Sequence, residues 1–186
     1  MISLKIFLFF TILTGIIYPL LISGIAQAIF PEKANGSMII RDGKAIGSAL
    51  IGQKFDSTIY FTSRPSAISY NPLPSGGSNF GLTNTTLKKL VNERKHQFLI
   101  FNQLDSLAEI PSEMLFASAS GLDPHISPGA AMLQVDRISK SRNFNESLKQ
   151  QLISLVHLNT EKPQYNLLGE ERINVLLLNI ELEKIK

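Results

Sequence analysis

IFLFFTILTGIIYPLLISGIAQAI, residues 6–29, decides the fold, because none of its roughly 24 positions carries a charged side chain. A bilayer core about 30 Å thick needs about 20 apolar residues in a helix, so this run can cross it with some tilt. Each Leu, Ile and Phe side chain in it favours insertion by about 0.3–0.6 kcal/mol. Lys5 precedes the run and can reach the lipid headgroups. We therefore predict one membrane-spanning anchor, residues 1–30.

A cleaved signal peptide is the alternative interpretation of this segment. Ala26, Gln27 and Ala28 fit a small-x-small cleavage site, and Lys5 supplies a minimal positive n-region. The apolar run is longer than the usual h-region of about 7–15 residues. Its length therefore favours a retained anchor.

One face of the predicted span carries small and polar residues. Thr11, Gly15, Tyr18 and Ile22 recur at helical spacing, and Pro19 removes one internal hydrogen bond. Small residues let helix backbones approach closely, and a hydroxyl can bond across the contact. We predict that Thr11, Gly15 and Tyr18 pack against a partner helix, although Gly and Pro are also common in spans without such a role.

The charges that flank the span leave its orientation open. Lys33, Arg41 and Lys44 follow it, whereas Lys5 and the N-terminal amine precede it. Taken literally, the positive-inside rule would keep the following domain in the cytoplasm. Long domains, however, cross the membrane largely regardless of such charges.

Residues 31–186 have the composition and length of one globular domain. Residues 38–40 and 45–51 are predicted to form the two strands of a β-hairpin, because Asp42-Gly43 between them suits a type I′ turn. Tyr60 and Phe61 are predicted to continue that sheet. The combination of strands with the helices described next predicts an α+β domain.

Three helix starts are indicated by capping residues. Asn84 or Thr83, Ser127 followed by Pro128, and Asn145 each precede an apolar periodic run. Near the end of the chain, apolar residues alternate and predict a strand: Leu176, Leu178, Ile180 and Leu182.

Composition excludes several classes of function. The chain has no Cys, and its three His residues lack metal-ligand spacing, so we predict no metal site. No phosphate-binding P-loop, dinucleotide-binding Gly fingerprint or nucleophile elbow is present. The 18 Lys and Arg residues are scattered among 15 Asp and Glu residues, which argues against nucleic-acid binding.

Two segments concentrate residue types that serve function. Residues 118–127 contain Ser120, Asp123 and His125, so a nucleophilic triad has to be considered, but Asp-Pro and Ser-Pro are ordinary turn and cap chemistry. We interpret this segment as a hydrogen-bonded structural loop. The second segment is a Gly-rich loop that can present backbone N–H groups to an anion or form a plain turn. It comprises Ser75, Gly76, Gly77, Ser78 and Asn79.

Taken in order along nearly the whole chain, these segments resemble the C subunit of the bacterial Kdp potassium-transporting ATPase, the KdpC family. The stretches that carry the resemblance, with x for positions outside the match, are TGIIYPL (14–20), GIAQ (24–27), ANGS (34–37), GSxLIGQxF (47–55), YF (60–61), RPSA (64–67), SGGSN (75–79), SASGLDPHIS (118–127), QVxR (134–137) and VLxLN (175–179). Lys33 and Leu82 depart from the family's usual Gln and Pro. Neither departure falls within these motifs.

The resemblance implies an accessory subunit, not an enzyme, in the cell (inner) membrane, with one span and an extracytoplasmic domain of residues 31–186. Its expected partners are a potassium-conducting A subunit, a P-type ATPase B subunit and a small F subunit. The family is described as a catalytic chaperone that raises the ATP affinity of the B subunit. No cofactor of its own is expected, because ATP and potassium are handled by the complex.

The chemistry of the residues themselves predicts roles for two of these motifs. Arg64, Asp123 and His125 are expected to be structural, and the loop of residues 75–79 is expected to contact a partner or, less favoured, a nucleotide. Two alternatives remain open: a membrane-tethered hydrolase that uses Ser120, Asp123 and His125, and a solute-binding module.

Overall fold

The computed structural model describes residues 1–185, which form two compact units: Met1–Leu50 and the chain from Ile51 onward. The first unit starts with one apolar helix, Ile2–Ile29, that is long and apolar enough to cross a membrane. This confirms the predicted N-terminal apolar helix. The predicted domain limits, 1–30 and 31–186, stay a prediction.

A change of helical register lies in the middle of this helix. It consists of α1 (Ile2–Ile12), a π-helical turn (Leu13–Ile17) and α2 (Tyr18–Ile29). Pro19, the second residue of α2, has no N–H to donate to the carbonyl of Gly15. An inserted π turn is one of the ways in which a helix accommodates such a lost bond.

The predicted β-hairpin is confirmed within the first unit. After the short α3 (Pro31–Ala34), β1 (Met38–Arg41) pairs antiparallel with β2 (Lys44–Ser48). Asp42 and Gly43 have φ angles of 51° and 73°, the left-handed pair that a type I′ turn requires.

The second unit is mainly helical. Its helices are α4 (Thr85–Asn102), a 3₁₀ turn (Ser112–Met114), α5 (Pro128–Met132), α6 (Val135–Ser141), α7 (Glu146–Leu158) and α8 (Val175–Leu182). A two-residue antiparallel ladder joins β3 (His125–Ile126) to β4 (Ile173–Asn174). Helices combined with small antiparallel sheets confirm the α+β class.

The three predicted N-caps are confirmed. The side-chain oxygens of Asn84, Ser127 and Asn145 accept backbone N–H groups from the first turns of α4, α5 and α7. Such caps satisfy donors that a helix start otherwise leaves without partners. Because a capping residue acts only on the first turn of its own helix, these helix starts could be predicted from sequence without knowledge of the tertiary structure.

The strand predicted from the alternating residues 176–182 is wrong, since this segment is helix α8. Nearly all of the run is apolar, so its periodicity could not separate strand from helix. The Asn174 side chain accepts the N–H of Leu177 at 3.2 Å and caps the helix. The buried residues follow helical spacing: Val175, Leu176, Leu178, Asn179 and Leu182.

Tyr60 and Phe61 do not continue a sheet, and that prediction is also wrong. The backbone N–H of Phe61 instead donates to Oδ1 of Asn179 at 2.8 Å, and Nδ2 of Asn179 donates to the Phe61 carbonyl at 2.9 Å. One side-chain amide from α8 thus replaces a neighbouring strand.

The core of the second unit forms where its helices meet this segment. Phe61 is fully buried against side chains from α5 to α8 and from the small ladder. The main members are Ile126, Ala130, Val135, Ile138, Leu152, Val156, Ile173, Leu178 and Leu182.

Candidate functional site

Asp123 is the centre of the predicted structural motif, and both of its carboxylate oxygens are engaged. Arg64 donates from Nη1 to Oδ2 at 2.7 Å, and the backbone N–H of His125 donates to Oδ1 at 3.0 Å. Nδ1 of His125 lies 3.5 Å from the same Oδ1 atom. The structure therefore brings together all three residues that the sequence grouped.

The electrostatics of Asp123 follow from these contacts. Partial burial alone would raise the pKa of the carboxyl, but hydrogen bonds from His125 and the Arg64 guanidinium outweigh burial and lower the pKa to about 2. Asp123 is thus a carboxylate at all ordinary pH values. A carboxylate committed to an arginine and a backbone N–H stabilises its loop and is not free to serve as a base.

Ser120 takes no part in a relay with these residues. Its hydroxyl oxygen accepts the N–H of Leu122 at 3.1 Å, an interaction within its own loop. No hydrogen bond joins Ser120 to His125 in the described part of the chain, residues 1–185. The triad geometry, in which the histidine bridges serine and aspartate, is therefore not assembled here.

The Gly-rich loop lies against the same segment. The N–H of Gly76 donates to the carbonyl of Ser120 at 3.1 Å, and a Cβ placed on Gly77 would lie 3.1 Å from the carbonyl oxygen of Ala119. Gly77 is thus needed for a close approach to its own chain. Ser75 and Asn79, at the two ends of the loop, remain exposed.

A polar cleft of about 620 Å³ opens beside Asp123. Arg64, His125 and Glu113 line one part of it, and charged residues of the segment 162–172 line the other. Among residues 1–185 no group of three or more His, Asp or Glu side chains is placed to hold a metal ion. The prediction that the chain binds no metal remains a prediction.

The predicted helix-packing face lies on the apolar helix of the first unit. The Thr11 hydroxyl donates to the carbonyl of Phe7 at 2.8 Å, so its hydrogen bond is made within the helix. A Cβ on Gly15 would meet no atom within 4 Å. Tyr18 is exposed. The face is therefore open to a neighbouring helix, and its use remains a prediction.

Replacing Gly15 with Leu should reduce recovery of this chain with its membrane partners roughly fivefold to thirtyfold, because interactions between membrane helices contribute about 1–2 kcal/mol. Native gels of detergent extracts would measure it. Ile17→Leu, which keeps side-chain volume in the same helix, is the control. Equal assembly of Gly15→Leu and wild type would contradict the predicted packing.

The domain also contains a buried polar cluster that was not predicted from the sequence. The Arg137 side chain reaches the backbone carbonyls of Thr58 and Tyr60, the latter at 2.9 Å, and Nε donates to Oδ1 of Asn102 at 2.9 Å. Gln134 accepts the N–H of Thr62 at 2.7 Å. With Asn179 these side chains hold residues 58–62, and we call them the backbone clamp: Asn102, Gln134, Arg137 and Asn179.

The signal for the clamp was present in the sequence. Gln134 and Arg137 stand three positions apart, on the same helical face as buried Val135 and Ile138. A charged residue on a buried face needs partners, so it identifies a structural network. The sequence does not say which backbone segment supplies the partners.

Replacing Asp123 with Ala should cost about 1–3 kcal/mol of folding free energy at pH 7, because Arg64 and the His125 N–H lose their acceptor. The folded pKa of about 2 lies below the ordinary 3.8, so the carboxylate stabilises the fold above pH 4 and stops doing so as pH falls through 2. The stability difference from wild type should therefore shrink between pH 4 and 2. Thermal unfolding across that range measures it.

Asp105→Ala is the control for this series: it removes one exposed hydrogen bond, from the N–H of Leu107 at 2.8 Å, so its difference from wild type should stay small throughout. If Asp123→Ala were as stable as wild type and fully assembled but had lost only pump turnover, Asp123 would have a direct catalytic role.

A helix long and apolar enough to cross a membrane, followed by a domain of helices and small antiparallel sheets, places the chain in the class of proteins that can be anchored in a membrane. The family model for KdpC, the c chain of the K⁺-transporting ATPase, matches residues 1–184. The chain belongs to the KdpC family, and its place is in a potassium uptake complex.

Curated relatives agree over nearly the full length of both chains. The potassium-transporting ATPase KdpC subunit of Geotalea uraniireducens is 46% identical over 183 residues, 96% of this chain and 94% of the relative. That of Leptospira interrogans is 43% identical, covering 98% and 92%. That of Trichlorobacter lovleyi is 46% identical, covering 98% and 96%.

Proposed function

We propose that this chain is the non-catalytic accessory subunit that stabilises the potassium pump and raises the ATP affinity of its P-type ATPase subunit. The main support for a non-catalytic role is that Asp123 accepts hydrogen bonds from Arg64 and from the backbone of His125. The cluster of Arg64, Asp123 and His125, which resembles part of a catalytic site, instead joins the loops of the domain to one another. A P-type pump also needs an aspartyl-phosphate site and a large nucleotide domain, for which 186 residues leave no room.

The proposed partners are the potassium-conducting A subunit, the P-type ATPase B subunit and the small F subunit. The exposed apolar helix and the open face at Gly15 support contacts within the membrane. We propose that the chain holds no cofactor and that ATP and potassium are bound by its partners. The loop of residues 75–79 is proposed to touch a partner through its exposed ends, Ser75 and Asn79.

The domain is proposed to lie outside the cell membrane, with the N-terminus of the single span inside. Family membership supports this, although the flanking charges lean the other way. Protease added to intact spheroplasts should then digest the domain. Protection until the cells are lysed would reverse the orientation.

Purification of the tagged chain in detergent tests the accessory role. We expect the larger pump subunits to accompany it, and ATPase activity of the complex to need more ATP for half-maximal rate when the chain is left out. An unchanged ATP requirement would contradict the chaperone role. Turnover of a substrate by the chain alone would contradict the non-catalytic assignment.

ATP titration of the full-length chain separates a partner contact from a nucleotide contact at residues 75–79. The loop has no Lys and no helix start to hold phosphates, so we expect no binding near cellular ATP concentrations. Saturable binding that Ser78→Trp abolishes would favour the nucleotide.

A further inference from the structure

The segment between α7 and α8 forms an ordered hairpin. We call residues 161–172 the arm. Glu161 and Arg172 exchange both backbone hydrogen bonds at its base, at 2.8 and 3.1 Å, and their side chains pair at 3.0 Å. Gln164 and Leu168 exchange a second pair nearer the tip, at 3.0 and 2.9 Å. The arm is thus an ordered hairpin held by two pairs of backbone hydrogen bonds, which we call its two rungs.

The tip of the arm is apolar and exposed to solvent. The relative exposures of Tyr165, Leu167 and Leu168 are 93%, 81% and 59%. Apolar side chains grouped at one exposed place, unlike single scattered ones, mark interaction sites. Two further exposed leucines, Leu158 and Leu177, line a small cleft with Glu161 at the base of the arm.

The turn at the tip of the arm has Tyr165 at a position with a positive φ angle, which a smaller residue adopts with less strain. Tyr165 and Asn166 both have φ of 56°, and Leu167 donates its N–H to Gln164 at 3.1 Å, as in a type I′ turn. Gly, Asn or Asp is the ordinary residue at such positions, and an aromatic residue there is strained. A glycine at position 165 is therefore expected to fold at least as stably as the tyrosine.

The charges beside the tip select the kind of partner. Glu170 and Glu171 are exposed, and no ion pair joins either of them to another residue between positions 1 and 185. Lys162 lines the same cleft as these two residues and offsets one of their two charges, so the net charge beside the tip is negative. Anionic lipid headgroups would repel this pair, whereas a protein surface with Lys or Arg beside an apolar cleft would attract it.

We propose that the arm is a docking element whose tip, Tyr165, Leu167 and Leu168, inserts into an apolar cleft with a basic rim on another protein subunit of the pump. This inference rests on the proposed role as an accessory subunit. Tyrosine is among the residues that most often dominate binding at interfaces, and the two rungs fix the tip before binding, which reduces the entropic cost.

Two arm variants and one matched control test the proposal in the full chain. Tyr165→Gly relieves the turn, so its melting temperature should equal or exceed that of wild type, while recovery of the pump complex falls about tenfold or more. Leu167→Lys should cause a similar loss with unchanged melting. Leu107→Lys, at a position 89% exposed but outside the arm, should assemble normally.

Site-specific cross-linking identifies what the tip touches. The chain has no Cys, so Leu167→Cys carries the only thiol for a photo-activated cross-linker, and Leu107→Cys is its control. A protein subunit of the pump linked from position 167 and not from 107 is the expected result. Links to lipid only, links to nothing, or normal assembly of both arm variants would overturn the proposal. If the wild-type chain itself recovered no pump subunits, that result would contradict the proposed accessory role rather than the role of the arm.

Discussion

Replacing Arg137 with Met is expected to lower the free energy of unfolding by about 3–5 kcal/mol, a large fraction of the total stability of a domain. Arg137 is 1% exposed, and its guanidinium donates to backbone carbonyls of the segment 58–62 and to Asn102. Met fills similar space but donates nothing, so several buried acceptors lose their partner. Each such loss costs about 1–3 kcal/mol.

The charge of Arg137 is held without a carboxylate among the described residues. Burial lowers the pKa of its guanidinium to about 10, which still leaves it charged at neutral pH. The ring of Phe101 lies 4.5 Å from Cζ and supplies a cation–π contact. Arg137→Lys should therefore also be destabilising. The single ammonium group of Lys cannot reach all of the acceptors that the planar guanidinium of Arg137 reaches with its separate N–H groups.

Denaturant unfolding of the full chain in detergent measures this effect. The control is Arg172→Met, which removes an exposed arginine whose ion pair with Glu161 is expected to contribute about 1 kcal/mol or less. Equal stability of Arg137→Met and Arg172→Met would show that the clamp is unimportant.

Replacing Asn179 with Leu is expected to cost about 2–5 kcal/mol. Asn179 is 3% exposed and supplies both hydrogen bonds of the Phe61 backbone. Leucine has nearly the same volume, so the loss comes from two buried backbone groups left without partners. Near-ultraviolet circular dichroism at rising temperature reports the loss of packing around Phe61.

Asn92→Leu, at an exposed position of α4, is the matched control and should change stability by about 0.5 kcal/mol or less. A value for Asn179→Leu within that range would mean that water replaces the side-chain amide, and that the clamp does not determine stability.

The sequence predicted the parts of the fold whose signals are local. The Asp42-Gly43 turn and the caps at Ser127 and Asn145 depend on a few neighbouring residues, and all are confirmed. Helix α8 was mistaken for a strand because its apolar run has no clear period. Local chemistry, here the Asn174 cap, was the better guide.

The parts that were not predicted depend on pairs distant in the chain. Arg64 and Asp123 were grouped by motif, but their ion pair spans 59 positions. The clamp was missed altogether, because the partner of Asn179 lies 118 positions earlier, at Phe61. The spacing of Gln134 and Arg137 marks a buried polar network, but the irregular backbone that it binds has no periodic pattern that would identify it in the sequence.

The pairing of Asn179 with Phe61 sets the order in which the protein can mature. A chain emerges from the ribosome starting at its N-terminus, so Phe61 is made long before the helix that binds it. Until α8 is made, the backbone of Phe61 lacks the Asn179 side chain as its partner, and the surrounding core lacks the apolar side chains that α8 supplies. Closing so long a loop is also entropically slow. Chaperones and proteases therefore meet this domain open for most of its synthesis, and a ribosome that stalls before α8 releases a product that cannot close.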